Sequence, residues 1–456
     1  MKSKHTLFYL SFVAMAVCSS PARAQVINTF AGSGPLGGNT GDGGPAISAK
    51  LNNPTGVAAY GYANVYIADQ ANHVVRAVNY LGNIRTFAGR KDTTAGYSGD
   101  GKRADSARLN TPAGVVVDVS GNVYISDYSS NVVRMVNTAG IISTIAGTGV
   151  AGYSGDGVMA TDAKLNHPYG LAVDVSGNVF IADAGNNVIR KVATDGTIST
   201  VAGNGFGAGM GLGAGAYTGD GGLAADASFN FPEGVAVDLA GNLYIADAKN
   251  NVVRKVSAND TVTTFAGTGV AGYSGDGGTA KAARLNHAAG VAVDASGNVY
   301  IADQNNYTVR KVSSTGIITS LAGNGAAGYN GDGGRASVAQ LNSPTSVAVD
   351  GLGQVYIADY GNNVIRKVGN ATAVNEMHDA AGSLKVFPNP TNGEFSVELP
   401  QSANTATITV TDILGRERIN RTINGSTTIT GLPTGAYLIK VVAGENIYNQ
   451  TVVVAR

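Results

Sequence analysis

Residues 114–147 read GVVVDVSGNVYISDYSSNVVRMVNTAGIISTIAG and divide into four short apolar segments. The segments span residues 114–118, 123–127, 132–136 and 141–147, and the first turn contains Gly121 and Asn122. Glycine and asparagine tolerate the positive φ angles of tight turns. Runs of this length, rich in Val and Ile and bounded by turns, predict strands. The stretch therefore predicts four antiparallel strands that form one small sheet.

This pattern recurs six times along the chain. Each copy ends its second strand with Ile-Ala-Asp, or once Ile-Ser-Asp, and carries an arginine seven residues later. The six pairs are Asp69/Arg76, Asp127/Arg134, Asp183/Arg190, Asp247/Arg254, Asp303/Arg310 and Asp359/Arg366. Neighbouring copies lie 58, 56, 64, 56 and 56 residues apart. Sheets repeated at such a period bury their faces by stacking on their neighbours, so the repeat predicts a circular array of sheets, the β-propeller.

The two ends of the array predict how the ring closes. The sixth copy stops after its third strand, at Arg366-Lys367-Val368, with no fourth strand behind it. A strand of the missing type lies before the first copy, in residues 26–32, VINTFAG. We therefore predict an all-β chain with a six-bladed β-propeller over residues 25–368. Its blades are four-stranded, and the N-terminal strand closes the last blade, which also removes two open sheet edges.

The repeats resemble the NHL-repeat family of β-propellers. In the fifth copy, residues 291–294 (VAVD), 297–303 (GNVYIAD) and 309–312 (VRKV) follow the family pattern closely. The Gly-Tyr-Ser-Gly-Asp-Gly loops between copies resemble those of secreted bacterial members. The resemblance extends from residue 26 to residue 368 and recurs six times in register. It implies a fold far more than an activity.

After the repeats, the sequence predicts a linker over residues 369–383 and a separate β-rich unit over residues 384–456. This unit resembles the sorting domain of the Bacteroidetes type IX secretion system. The resemblance is carried by VFPNP at 386–390, DILGR at 412–416, LPTGAY at 432–437 and a Val-rich end. The family implies a small Ig-like β-sandwich that engages the type IX machinery and directs export across the outer membrane.

Residues 1–24 predict a secretory signal peptide. Lys2 and Lys4 precede an apolar stretch at residues 7–17, and a small-x-small cleavage site ends at Ala24. Cleavage there removes Cys18, the single cysteine. Together with the sorting domain, this predicts a secreted or outer-membrane-surface protein without a transmembrane segment, which we expect to be a monomer. The chain has 31 basic and 31 acidic residues and no long basic run, which argues against a nucleic-acid partner.

The candidate site lies where the copies differ. Just before each inner strand, the residue after Leu-Asn (Phe-Asn in the fourth copy) varies, and so does the residue two positions on. The innermost strands of a propeller line its central channel, so both series are predicted to surround the channel mouth. The third, fourth and fifth copies place His167, Tyr169, Glu233 and His287 there. We predict that these four residues bind a ligand.

A second variable position follows the aspartate of each second strand. Two copies carry alanine, and the others carry Gln70, Tyr128, Gln304 and Tyr360. Aromatic and amide side chains in a shallow ring suit contacts with an extracellular protein or a glycan. The alternative is that they are ordinary solvated turn residues.

His167, Glu233 and His287 also permit a metal interpretation. Two histidines and one carboxylate are the ligand set of many catalytic zinc and non-haem iron sites. Some six-bladed relatives of this fold are lyases or esterases with a metal in the channel. A metal-dependent lyase or hydrolase is therefore the alternative to binding, and a purely structural surface protein is the third possibility. The binding function requires no cofactor.

Three further features have structural interpretations. We interpret the Asp/Arg pairs as ties between blades, because six identical copies serve a repeated structural need. The loops carry one carboxylate each, at Asp42, Asp100, Asp156, Asp220, Asp276 and Asp332. A carboxylate that stabilises a Gly-rich turn is favoured there over a calcium site. Residues 205–216 add eight residues, including Phe206, Met210 and Leu212, and we favour a neutral insertion over a lid.

Overall fold

The computed structural model describes residues 25–61, 64–92, 94–211, 213–370, 385–387, 391–399, 405–412, 416–443 and 446–454. The predicted signal peptide, most of the predicted linker and Leu212 lie outside these ranges. Within them, single turns of 3-10 helix are the only helical elements, and all other regular structure is β-strand. No helix in the described ranges is long and apolar enough to cross a membrane.

Four-stranded antiparallel blades make up the larger part of the described chain. The N-terminal strand is β1, Gln25–Ala31. The first blade comprises β2 Pro54–Tyr60, β3 Asn64–Asp69, β4 Val74–Val78 and β5 Ile84–Ala88. The second comprises β6 Pro112–Val117, β7 Val123–Asp127, β8 Val132–Val136 and β9 Ile142–Ala146. The third comprises β10 Pro168–Val173, β11 Val179–Asp183, β12 Val188–Val192 and β13 Ile198–Ala202.

The remaining blades follow the same order. The fourth comprises β14 Pro232–Val237, β15 Leu243–Asp247, β16 Val252–Val256 and β17 Val262–Ala266. The fifth comprises β18 Ala288–Val293, β19 Val299–Asp303, β20 Thr308–Val312 and β21 Ile318–Ala322. The sixth comprises β22 Pro344–Val349, β23 Val355–Asp359 and β24 Val364–Asn370, with β1 as its fourth strand.

Two sets of 3-10 turns recur with the blades. One set follows the second strands: Gln70–Asn72, Tyr128–Ser130, Ala184–Asn186, Ala248–Asn250, Gln304–Asn306 and Tyr360–Asn362. The other lies in the long loops before the blades: Ala46–Ser48, Ala104–Ser106, Ala160–Asp162, Ala224–Asp226, Ala280–Ala282 and Ala336–Val338.

The ring is closed by its N-terminal strand. β1 pairs antiparallel with β24, so that Ile27 lies opposite Val368. Ile27 is fully buried among residues of the fifth and sixth blades. The prediction of an all-β chain with six four-stranded blades and an N-terminal closing strand is confirmed for the described residues.

Apolar side chains stack the blades on each other. One buried cluster joins Ala58 and Val75 of the first blade to Val115 and Ile125 of the second. Similar clusters lie between the other neighbours. The core is therefore a series of layers between blades, and no blade buries its faces without a neighbour.

Each repeated arginine lies fully buried inside its blade. Arg76 places Nη1 3.5 Å from Asp69 Oδ2 and donates through Nη2 to Asp42 Oδ1 at 2.7 Å. Asp69 also accepts hydrogen bonds from the backbone N–H of Asn52 and the side chain of Asn72. Burial raises the pKa of Asp69 to about 7, while these hydrogen bonds and the charge of Arg76 act in the lowering direction.

The prediction that the Asp/Arg pairs join neighbouring blades is wrong. Asp69 and Arg76 lie on adjacent strands of one blade, where Ile67 pairs with Arg76. Asp42 belongs to the loop that precedes the same blade. The guanidinium of each repeated arginine pairs with the aspartate of the loop that precedes its blade. Each arginine therefore fastens that loop onto its own blade.

The long loops cover the outer strands. The N–H of Gly43 donates to the Ile84 carbonyl at 2.7 Å, and the N–H of Ile84 donates to Gly44 at 3.0 Å. In the second blade, Asp100 accepts a hydrogen bond from the outer-strand N–H of Thr144 at 3.1 Å. The loops therefore satisfy groups that an open sheet edge would expose. Their aspartates have protein donors as partners, such as Arg76 for Asp42 and Arg134 for Asp100, and calcium binding stays the alternative there.

The C-terminal residues form two further sheets. Their strands are β25 Lys385–Phe387, β26 Glu394–Glu398, β27 Ala406–Asp412, β28 Glu417–Ile423, β29 Thr427–Thr430, β30 Gly435–Ala443 and β31 Asn446–Val454. The first sheet has the order β25-β26-β29, and the second β28-β27-β30-β31. Phe395 of the first sheet and Ile408 and Ile439 of the second are buried in one core. The two sheets thus pack face to face as a sandwich.

Candidate functional site

The innermost strand of every blade lines a central channel. The channel encloses about 220 Å³. Neighbouring inner strands approach closely because each of the first five blades carries a glycine there. A Cβ on Gly170 would lie only 2.4 Å from the carbonyl oxygen of Glu233 in the next blade. The sixth blade has Ser346 at this position. The close approach brings side chains of different blades together at the channel mouth.

The residue after each Leu-Asn step is held in a left-handed backbone conformation. Its φ lies between 51° and 60° at Asn53, Thr111, His167, Phe231, His287 and Ser343. The N–H of His167 donates to Asn131 Oδ1 of the preceding blade at 3.0 Å, and the N–H of His287 donates to Asn251 Oδ1 at 2.8 Å. The N–H groups of residues 53, 111 and 231 donate equivalent bonds to side chains of the preceding blade, at Asn363, His73 and Asn187. These bonds tie neighbouring blades together and orient the mouth.

Tyr128, His167 and Tyr169 form an aromatic cluster between the second and third blades. The ring centroids of Tyr128 and His167 lie 4.6 Å apart. Tyr128 and Tyr169 meet edge to face, with centroids 5.8 Å apart and planes at 89°. Burial lowers the pKa of His167, which favours the neutral imidazole at physiological pH. The cluster therefore presents electron-rich, uncharged groups.

Glu233 and His287 pair between the fourth and fifth blades. His287 Nε2 lies 3.0 Å from Glu233 Oε1, and Glu233 is only 7% exposed. Burial lowers the pKa of His287, as does the nearby charge of Lys249. The hydrogen bond and the negative charge of Glu233 outweigh both and raise the pKa of His287 above its usual value.

The aromatic cluster and the ion pair lie close enough to influence each other. Burial raises the pKa of Tyr169 strongly, and the charge of Glu233 adds to it, followed by Tyr128 and Tyr360. Burial and Glu233 likewise raise the pKa of Tyr128. Tyr360 belongs to the sixth blade, across the ring from the third. Tyr169 and Glu233 also line the channel together, so the aromatic cluster and the carboxylate share the mouth.

Gln70 and Gln304 begin the 3-10 turns that correspond to those of Tyr128 and Tyr360, and both are partly buried. The described contacts place neither glutamine in the aromatic cluster. The backbone N–H of Gln304 donates to the carbonyl of His287 at 3.2 Å, so this position does touch the mouth. Of the side chains at the second variable position, Tyr128 is the one with described ring contacts to His167 and Tyr169.

The three residues predicted as metal ligands do not form one group. Glu233 and His287 contact each other, whereas His167 contacts Asn166 and Tyr128. Among the residues that the structure describes, no three histidine, cysteine, aspartate or glutamate side chains are arranged to hold a metal ion. This arrangement does not fit a three-ligand centre, so we derive no metal-dependent step, and the metal hypothesis stays a prediction.

A further ring of residues lies four positions after each repeated aspartate and was not predicted from the sequence. It comprises His73, Asn131, Asn187, Asn251, Tyr307 and Asn363, with φ between 55° and 57°. The asparagines and His73 make the bonds between blades described above, while Tyr307 makes no such described contact. Asparagine at one fixed place in four copies was the available signal, because asparagine tolerates this conformation well. Tyr307, partly buried, is the aromatic exception.

Known protein families match both the propeller and the C-terminal unit of this chain. The secretion system C-terminal sorting domain family matches residues 385–455. The teneurin NHL domain family matches residues 92–152, 150–208 and 270–330, and the NHL repeat family matches residues 341–367. The propeller matches fall on the second, third, fifth and sixth blades.

Curated relatives share the propeller region. The chain is 28% identical over 285 residues to Protein SUPPRESSOR OF QUENCHING 1, chloroplastic, of Arabidopsis thaliana, covering 59% of this chain and 26% of that protein. It is 32% identical over 235 residues to Teneurin-4 of Mus musculus, covering 48% of this chain and 8% of that protein. The chain thus spans 26% and 8% of the lengths of these two relatives.

Solved structures show the same fold. A structural genomics protein of unknown function from Bacteroides thetaiotaomicron VPI-5482 has a TM-score of 0.55 at 20% identity, covering 76% of each chain. An auxiliary nutrient binding protein from Bacteroides ovatus ATCC 8483 has a TM-score of 0.54 at 16% identity, covering 76% of this chain and 77% of that one. A sorting domain of this family implies export to the cell surface or beyond. The chain is an NHL-repeat β-propeller protein with a C-terminal type IX secretion sorting domain.

Proposed function

We propose that this protein is exported through a signal peptide and the type IX machinery and binds an extracellular protein or glycan at the channel mouth. The observation that carries the proposal is the convergence of Tyr128, Tyr169, Glu233 and His287 at one place. These residues come from four different blades and occupy positions where the repeats differ.

The chemistry of the mouth suits recognition. Tyrosine combines a large rigid apolar surface with a hydroxyl group and is enriched at binding hot spots. A carboxylate beside such rings adds charge complementarity, which favours one ligand over another. The Bacteroides ovatus neighbour, an auxiliary nutrient binding protein, is compatible with a binding use of this fold.

The test uses purified residues 25–456 on an array of glycans and an array of extracellular proteins. We expect saturable binding to at least one probe, weakened at least tenfold, about 1.4 kcal/mol, in a Tyr128→Ala/Tyr169→Ala variant. Tyr80→Ala is the matched control, because Tyr80 is exposed in the outer hairpin of the first blade. Binding that survives in the double variant, or no saturable binding to either array, would contradict the proposal.

The metal-dependent alternative has its own measurement. Elemental mass spectrometry of the same protein is compared with a His167→Ala/His287→Ala variant. About one zinc or iron per chain, lost in the variant, would favour the lyase or hydrolase over the binding protein. The geometry leads us to expect no such stoichiometric loss, because His167 contacts neither Glu233 nor His287 in the described structure.

A further inference from the structure

We propose that the channel mouth binds a protonated primary amine, presented as a lysine side chain of a protein ligand, between Glu233 and the tyrosines Tyr128 and Tyr169. This inference rests on the proposed function and specifies its ligand. It also commits to a protein rather than a glycan.

The charge of the cavity carries the first step. The described lining of the cavity consists of the inner strands. Glu233 is the only acidic residue in that lining, and no lysine or arginine belongs to it. Glu233 accepts one hydrogen bond at Oε1, from His287, and no other described residue donates to it. A carboxylate that is more than nine-tenths buried is costly unless it is paired. A ligand cation would supply the second partner.

The tyrosines carry the second step. Tyr128 and Tyr169 pack edge to face, and their hydroxyls and ring faces offer electron density to a cation. Tyr169 and Glu233 both line the channel, on the neighbouring inner strands of the third and fourth blades. Aromatic rings and a carboxylate that share one cavity suit the recognition of an ammonium group.

His287 carries the third step, because it competes with the ligand for Glu233. The charged groups that face His287 are Glu233 and Lys249, and Glu233 dominates, so the pKa of His287 is raised. Below that pKa, the imidazolium neutralises Glu233. Above it, the neutral imidazole no longer places a positive charge beside the carboxylate. The affinity for an amine should therefore rise as the pH rises through the pKa of His287.

The surroundings of the mouth favour a protein as the source of the amine. Exposed apolar residues sit on the loops beside it, with Leu36 and Met210 each 78% exposed and Phe206 56% exposed. These loops are anchored to the mouth: the Asn363 side chain donates to the Pro35 carbonyl, and the Asn187 side chain donates to the Phe206 carbonyl. Aliphatic and aromatic tips match an apolar protein surface and offer no hydrogen-bonding groups to sugar hydroxyls.

The experiment titrates residues 25–456 with Nα-acetyl-lysine methylamide and follows the probe by NMR. Nα-acetyl-norleucine methylamide is the neutral probe of similar shape, and glucosamine tests an amine from a glycan. We expect saturable binding of the lysine probe, at least tenfold tighter than the norleucine probe. Glu233→Gln should abolish that preference, while Asp105→Asn, which changes an exposed carboxylate elsewhere, should leave it intact.

The pH dependence gives a second readout. Binding of the lysine probe by the unsubstituted protein should strengthen at least threefold between pH 5.5 and 8.5. His287→Asn should bind equally at both pH values. Equal binding of both probes, an unaffected Glu233→Gln variant, or a preference for glucosamine would overturn the inference. If these probes fail while array binding still requires Tyr128 and Tyr169, the proposed function stands and only the amine inference fails.

Discussion

The interior of the blades and the face around the channel mouth are built from the same six repeats but follow opposite rules. In the interior, every blade has the same buried aspartate and arginine. At the mouth, the equivalent positions carry Thr55, Ala113, Tyr169, Glu233, Ala289 and Thr345. Every blade packs against equivalent neighbours, so the same buried side chains can stabilise all six. A ligand without sixfold symmetry instead requires different side chains at the equivalent positions of the mouth. In a ring of repeats, function is therefore to be sought where the copies differ.

The largest effect is expected from deleting residues 25–31, because the sixth blade then loses its outer strand and the buried Ile27. We expect the melting temperature, measured by circular dichroism, to fall by at least ~10 °C, or cooperative unfolding to disappear. Deletion of residues 208–213 is the matched control. It joins Gly207 to Ala214, whose carbonyl oxygen already lies 2.2 Å from the place of a Cβ on Gly207.

The control deletion should change the melting temperature by only a few degrees, because loop length costs little free energy. A control as damaging as the loss of β1, or an unaffected β1 deletion, would contradict the closure of the ring by its N-terminal strand.

A smaller but still large effect is expected from Arg190→Met in the third blade. Arg190 is fully buried and contacts Asp156 at 2.7 Å and Asp183 at 3.7 Å. Removing one partner of a buried ion pair strands the other charge and costs about 3–5 kcal/mol. Urea unfolding measures this loss. Arg103→Met removes an exposed pair with Asp105 and should cost less than about 1 kcal/mol. Similar losses for the two variants would show that the interior network adds no special stability.

The smallest effect concerns the mouth, where we expect a pH-dependent difference between the unsubstituted protein and His287→Asn. The pKa of His287 is raised in the folded state. Its contribution to the free energy of unfolding is therefore fully present below the usual pKa of about 6.5 and is lost as the pH rises through the raised value. The advantage over His287→Asn should be about 1 kcal/mol or less, because the His287 side chain is 24% exposed.

Urea unfolding of both proteins between pH 5.5 and 8.5 measures this difference. The buried aspartates of the interior titrate equally in both proteins, so they cancel in the comparison. An advantage that grows with pH would contradict the assigned sign.

Local regularity explains why most of the fold could be predicted. Val and Ile runs, Gly-Asn turns and the period of the Ile-Ala-Asp step are local signals, and each blade repeats them. The incomplete sixth copy and the extra strand before the first also identified the partner of β1. The hydrogen bonds between blades were predicted wrongly because the repeated Asp69/Arg76 pair is conspicuous in the sequence. The asparagines that accept these bonds, such as Asn131, resemble ordinary turn residues.

The sequence by itself determined the blade number, the closing strand, the sorting domain and the positions at which the mouth varies. Only the tertiary structure decided which of those side chains meet: Glu233 with His287, and Tyr128 with both His167 and Tyr169. It also separated His167 from the other predicted metal ligands. Strand identity follows from short-range patterns of apolar residues and turns. Contacts between neighbouring blades depend instead on blade spacing, strand register and the left-handed backbone before each inner strand, which emerge only when all six blades close.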